Sequence, residues 1–216
     1  MNVKEFDTWR EMYDELTYRD HQTFATRVVK EYPNQKYWDK YWVMAFFKWV
    51  SGKISKEGFT RVLEIGGYDG GMAAKVLKHS QQILRWVNIE MVTVPRICKD
   101  TRYEVVVPDR WIWEVVEEKV LRYETLVLSH VLEHLRFRDV AKLVEMVATK
   151  CNWIYVDAPI PLGRDGADWN GYHGTHILEV GWGRVDNLME IHGYRPVIDG
   201  PSAGGYVKFY EATVKR

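Results

Sequence analysis

From about residue 59 onward, short apolar runs alternate with segments whose apolar positions recur at helical spacing, so strands and helices are expected to follow one another. Arg61-Val62-Leu63-Glu64-Ile65 predicts a first strand, which runs into the glycine-dense stretch Gly66-Gly67-Tyr68-Asp69-Gly70-Gly71. Met72, Val76 and Leu77 then fall on one side of a helix. Ile83–Glu90, Tyr103–Val107, Thr125–Ser129 and Asn152–Asp157 predict further strands, with helices over Trp111–Val120, Val140–Val147 and His176–His192. Ala158-Pro159-Ile160-Pro161 ends the fifth strand, and Leu162–Thr175 is a long loop of the kind that usually serves function. Tyr194–Ile198 and Tyr206–Thr213, joined through Gly200–Gly205, predict a closing hairpin. This alternation is that of an open α/β sheet, whose ligands sit beyond the carboxyl ends of the strands.

Residues 1–58 follow a different pattern and are expected to form a helical N-terminal extension to a domain spanning 59–216. Asp7–Leu16, Thr23–Val29 and Tyr37–Val50 have helical periodicity. In the third, Tyr37, Trp38, Tyr41, Trp42, Phe46, Phe47 and Trp49 cover most of the helix circumference, which implies burial on more than one side. At 216 residues the chain suits one domain with an appendage. Lys plus Arg and Asp plus Glu both number 30, so no global field draws in nucleic acid or an anionic membrane. Cys98 and Cys151 are expected to be free thiols in a reducing compartment. Charges near the N-terminus and the lack of any long apolar stretch predict a soluble, cytoplasmic protein with no membrane association.

The glycine-dense turn is the place for a nucleotide-like ligand, because it lets the backbone turn sharply and approach closely. Dinucleotide sites present a helix N-terminus to a pyrophosphate, and a carboxylate at Glu64 would repel that anion. Glu64 suits a ligand with positive charge at that end, an ammonium or a sulfonium. A nicotinamide dehydrogenase is disfavoured on this ground. Glu64-Ile65-Gly66-Gly67-Tyr68-Asp69-Gly70 resembles the first motif of the class I S-adenosylmethionine-dependent methyltransferases, an acidic residue followed by Gly-x-Gly-x-Gly, with Tyr68 in place of the middle glycine. The resemblance implies a Rossmann-like doubly wound seven-stranded sheet with an antiparallel last strand, S-adenosylmethionine as cofactor, and methyl transfer as the activity. The cofactor set it implies is Glu64, Gly66, Gly67, Tyr68 and Gly70 at the methionine end, then Glu90, Met91, Asp109, Trp111, Ser129 and His130. Glu90, at the tip of the second strand, would take the ribose hydroxyls. Asp109 and Trp111 would meet the adenine, although Asp109 equally fits as a cap on the helix that follows.

His130-Val131-Leu132-Glu133-His134 matches an inverted zinc-peptidase pattern, but it directly follows a strand instead of lying inside a long helix. Ser129 through Leu135 resembles the segment after strand four in methyltransferases, often Glu-Val-Leu-Glu-His. Two groups of that family, the ubiquinone-pathway O-methyltransferases and the small-RNA terminal 2′-O-methyltransferases, bind a divalent metal with it. On that likeness the metal set would be His130, Glu133, His134 and His176; in other relatives the Glu-His pair packs structurally. His130 and His176 are the candidate catalytic residues, deprotonating the acceptor. His173 reads as a solvated loop residue. The expected acceptor is a small molecule or glycan-like compound, methylated on oxygen or nitrogen, with a metal-assisted RNA or sugar methyltransferase and a non-catalytic cofactor-binding partner subunit as alternatives. Oligomeric state is not legible.

Overall fold

A computed structural model describes residues 60–110, 115, 123–148, 150–158, 181–202 and 205–214. The expected N-terminal helices and the 1–58 extension, the helix over Trp111–Val120 apart from Val115, the 162–175 loop, His173 and His176 lie outside these residues.

The described residues build one seven-stranded sheet in the order β3-β2-β1-β4-β5-β7-β6. Its strands are β1 (Thr60–Ile65), β2 (Ile83–Ile89), β3 (Tyr103–Val106), β4 (Thr125–Ser129), β5 (Trp153–Ala158), β6 (Tyr194–Ser202) and β7 (Gly205–Ala212). The first five are parallel, and β7 runs antiparallel to both β5 and β6. The chain moves outward from β1 through β2 to β3, then returns to the centre with β4, so the strand order reverses between β1 and β4. In such sheets that reversal opens the crevice where ligands sit.

Alternation along the strands sorts the core into two sides. Val62, Trp86, Val127, Tyr155 and Phe209 face helix α1 (Gly71–His79), which buries Met72, Ala73, Val76 and Leu77 against them. Leu63, Ile65, Val87, Leu126, Leu128, Ile154 and Val156 face the other way, under α2 (Phe137–Ala148) and α3 (Trp182–Ile191). The central strands are buried on both faces, which is why they read as nearly unbroken apolar runs.

One expectation at the end of the chain is corrected. Gly200, Pro201 and Ser202 belong to β6, paired with Val207, Tyr206 and Gly205, and are not the hairpin turn. Proline is tolerated there because β6 is the sheet edge and a missing N–H breaks no interior ladder.

Arg102 fastens the carboxyl end of α1 to the sheet. Its guanidinium donates to the carbonyls of Leu77, Ser80 and Ile83 at 2.7–2.9 Å and to Asp100 at 2.6 and 2.9 Å. The same hydrogen bonds hold the Asp100 carboxyl down at about 2. Terminal helix carbonyls otherwise lack donors, and a cation suits that end of the dipole. Arg102→Ala is expected to lower stability by about 2–3 kcal/mol, seen in thermal denaturation as a drop of roughly 5–10 °C. Arg102→Lys should recover only part of this, since an ammonium cannot reproduce the fork.

Candidate functional site

At the carboxyl end of the sheet, β1 and β2 place polar side chains on the α1 side, directly beneath the glycine loop. Glu64 and Asn88 are register partners. Glu64 has 0% of its surface exposed and accepts a hydrogen bond from Trp86 Nε1 at 2.8 Å through Oε2. Its Oε1 is buried and accepts no hydrogen bond. Asn88 receives the Gly67 N–H at 2.9 Å and donates to the Tyr103 hydroxyl at 3.1 Å. The loop therefore rests on a buried polar floor of Glu64, Trp86, Asn88 and Tyr103.

That floor explains the glycines. A Cβ on Gly67 would land on the Glu64 carboxyl group, and one on Gly70 would meet the Tyr103 ring and hydroxyl at 2.6–2.9 Å. Gly66 and Gly70 also hold φ values of 68° and 76°, where L side chains are strained. Tyr68 adopts a φ of 50° despite its side chain, at the position where the resembling motif carries glycine. The Asp69 carboxylate accepts the Gly71 N–H at 2.8 Å, tying the loop to the first turn of α1.

The expectation for Glu64 assumes an ionised carboxylate, and its surroundings alter that state. Burial, the largest influence, pushes its carboxyl up to about 8; the Trp86 hydrogen bond opposes this, while the charges of Glu90 and Asp69 add to it. The group is thus mostly a neutral acid at pH 7. Glu90, at the end of β2, is buried, and its Oε2 accepts the Tyr68 N–H at 2.7 Å. Its Oε1 accepts the Val92 N–H at 3.4 Å, and the Met91 amide also bonds this carboxylate. Burial raises the Glu90 carboxyl against these amide hydrogen bonds. Glu90 therefore joins the loop to the β2 tip, with Tyr68 and Met91 on either side of it.

A second cluster stands at the tips of β4 and β5. His130 follows Ser129 with a φ of 56°, a left-handed conformation uncommon for a side-chain-bearing residue. Its backbone N–H donates to the Asp157 carbonyl at 2.7 Å. The imidazole Nδ1 lies 3.2 Å from Glu133 Oε1 and Nε2 lies 3.9 Å from Asp157 Oδ2. The Tyr155 and Ser129 hydroxyls reach the same Asp157 oxygen at 3.2 and 3.5 Å. Backbone strain at Tyr68 and at His130 falls on the two loops that border the crevice, the kind of place where strain is stored for function.

The remaining expected residues divide. Asp109 is exposed and pairs with Arg110 at 3.9 Å, while Trp111 is outside the described residues. Glu133 and His134 form a 3₁₀ turn, Leu132–His134. Glu133 faces His130, but among the described residues no three His, Cys, Asp or Glu side chains converge as a metal centre requires. His176, the remaining expected ligand, lies outside the described residues. Asn88, Tyr103, Tyr155 and Asp157 were missed in the sequence. A signal was present for two of them: Asn88 is the polar residue inside an apolar strand, one strand repeat before Glu90, and Asp157 is an acid at a strand tip like Glu64 and Glu90.

No family model and no curated protein matches the chain. Solved structures do. The chain is similar to magnesium protoporphyrin IX methyltransferase from Synechocystis PCC 6803, crystallised with S-adenosylhomocysteine, at 14% identity over 95% of this chain and 92% of that one, with a TM-score of 0.54. It is also similar to an O-methyltransferase family 2 protein from Planctomyces limnophilus in complex with apigenin, at 16% identity over 92% of this chain and TM-score 0.58. A third is CalO1, a methyltransferase of calicheamicin biosynthesis bound to S-adenosylhomocysteine, at 16% identity over 77% of this chain and TM-score 0.52. The chain spans 62% of the Planctomyces protein and 55% of CalO1. What it shares with all three is the architecture, a Rossmann-like seven-stranded sheet with an antiparallel final pair, the fold of the class I S-adenosylmethionine-dependent methyltransferases.

Proposed function

We propose that this chain is an S-adenosylmethionine-dependent methyltransferase acting on a hydroxyl of a small-molecule or glycan-like acceptor. The observation that carries the reading is the Gly66–Gly70 loop laid over buried Glu64 and Glu90 at the switch point of a fold whose solved examples hold S-adenosylhomocysteine. The loop fits such a group: side chains are excluded at Gly67 and Gly70, which keeps the backbone low and open to a ligand. The apigenin complex of the Planctomyces protein supports an acceptor of small-molecule size.

Bound there, S-adenosylmethionine supplies a methyl group made electrophilic by the sulfonium. The protein's part is alignment and proton removal. Glu64 and the loop would line the methionine end, and Glu90 with Met91 the ribose side. Ser129 and His130 border the cofactor on the β4 side. The His130 ring would accept the proton of the acceptor hydroxyl.

Isothermal titration with S-adenosylhomocysteine and with NAD tests this reading. Micromolar binding of the first and none of the second is expected, with affinity unchanged by added magnesium, manganese or zinc. Preferential binding of NAD would overturn it.

A further inference from the structure

We propose that Tyr103, on β3, is a positioning residue that sets the shape of the Gly66–Gly70 loop by orienting the Asn88 carboxamide beneath it. The proposal rests on that loop being the cofactor loop of the reading above. Three features of the structure support it.

First, the direction of the hydrogen bonds leaves Asn88 one orientation. The Gly67 N–H donates to Asn88 Oδ1 at 2.9 Å, and Asn88 Nδ2 donates to the Tyr103 hydroxyl oxygen at 3.1 Å. Turned over, the carboxamide would set its NH₂ group against the Gly67 N–H, two donors facing each other. The Tyr103 oxygen is the acceptor that favours the working orientation. Asn88 is 0% exposed, and a buried amide donor left without an acceptor costs more than an ordinary hydrogen bond contributes.

Second, Tyr103 supports both ends of one turn. The Gly70 N–H donates to the Gly67 carbonyl at 3.0 Å, which closes a turn with Tyr68 and Asp69 at its corners. Tyr103 reaches the Gly67 end through Asn88. At the other end a Cβ on Gly70 would lie 2.6 Å from the Tyr103 hydroxyl oxygen and 2.7 Å from Cζ, so the backbone there rests on the ring. Tyr68, with its φ of 50° and its N–H on Glu90, lies between the two supports.

Third, the register demands a residue of this length and polarity. Tyr103 pairs with Trp86, and Asn88 is two residues further along β2 on the same face. Two residues of strand span about 6.6 Å, a distance that a phenol covers and a serine or threonine would not. Burial, the largest influence, pushes the Tyr103 phenol up, so its oxygen stays an uncharged hydroxyl.

Isothermal titration with S-adenosylhomocysteine tests this on the wild type, Tyr103→Phe, Asn88→Ala and the double variant, well below every melting point. Phenylalanine keeps the ring under Gly70 and removes only the hydroxyl. Affinity is expected to fall about fivefold or more in Tyr103→Phe, and less than about twofold when the same change is made on Asn88→Ala, where the group it acts through is gone. A merely structural residue would lower the melting point and leave the affinity of the folded protein alone, or would weaken binding equally in both backgrounds. Either result overturns the proposal. A second measurement needs neither the ligand nor the Asn88 variants: in Tyr103→Phe the Gly67 amide proton should shift upfield with a steeper temperature coefficient, while that of Val127 in β4 stays in place. An unmoved Gly67 resonance overturns the proposal even where Asn88→Ala does not fold. Failure of the wild type to bind S-adenosylhomocysteine would sink the cofactor reading, and the Gly67 resonance would still decide the role of Tyr103.

Discussion

Glu64→Gln should be more stable than the wild type at pH 9, with a melting point higher by about 5–10 °C, and this advantage should shrink as the pH is lowered toward 5. The sign follows from where the proton sits in each state. In the unfolded chain the carboxyl has its ordinary value of 4.5, and in the fold burial pushes it up to about 8. Between those values the unfolded chain has released the proton and the native protein has kept it, so native stability falls as pH rises through the window. Above about 8 both states are ionised and the loss is complete, at most about 5 kcal/mol for a separation of this size. Glutamine keeps the shape and an acceptor for Trp86 Nε1 while removing the charge. Glu90 shares the raised direction and stays in both proteins, so the difference between the two curves isolates Glu64. Parallel curves for wild type and variant between pH 5 and 9 would show that the acid titrates normally.

The same proton links Glu64 to the proposed cofactor. A cationic ligand over the loop favours the ionised acid and must expel the proton that burial holds on Glu64. Affinity for S-adenosylhomocysteine, whose ammonium supplies the charge, should therefore tighten as pH rises toward about 8, by no more than tenfold per unit, and level off beyond. Glu64→Gln should bind it with a flat profile. The acid is thus better described as a charge that appears on binding than as a standing lure for cations. The repulsion of a pyrophosphate, argued from the residue type alone, is weaker for a neutral acid, so what favours a cationic ligand is the charge the acid gains when it ionises beside one.

Much of the fold was legible because its determinants are local. Buried parallel strands must be apolar on both faces, so Leu126 to Leu128 and Ile154 to Val156 stand out in the sequence, and helices that cover them must repeat at 3.6 residues, as α2 does. The loop was legible as well, since glycines at Gly66 and Gly70 answer a backbone demand that few other residues meet. The end of β6 was misread because Gly200 and Pro201 are turn formers by composition, whereas pairing with β7 along the sheet edge overrides that preference.

The site was legible only where its chemistry coincides with a strand tip. Glu64, Glu90 and His130 sit at such tips and can be chosen by position. What they touch depends on strand order, which no local pattern states. Asn88 meets Glu64 because β2 lies beside β1, and Asp157 meets His130 because β5 lies beside β4. Tyr103 arrives from β3, 36 positions beyond Gly67 in the chain, to sit under Gly70. The protonation of Glu64 was illegible for the same reason, being set by Trp86 and by burial under a loop rather than by its own neighbours in sequence.

Gly67→Ala is the substitution that joins these threads, and it should lower stability by about 3 kcal/mol, combining overpacking with a lost or distorted loop hydrogen bond. The added methyl would occupy the space of the Glu64 carboxyl and come within 2.9 Å of Asn88 Cγ. Neither neighbour can retreat cheaply. Glu64 is held by Trp86 in a fully buried position, and Asn88 holds the Gly67 N–H itself. The loop must lift, which parts Tyr68 N–H from Glu90 as well, so S-adenosylhomocysteine binding should be lost together with stability. Truncating Glu64 isolates its share: in a Glu64→Ala background, where the contact with Asn88 remains, Gly67→Ala should cost at least about 1 kcal/mol less than in the wild type, a coupling that additive sites would not show. Chemical denaturation of the four proteins in this cycle measures it. A Gly67→Ala protein within about 0.5 kcal/mol of wild type would mean that the loop does not rest on Glu64, and the polar floor would then have no part in shaping the crevice above it.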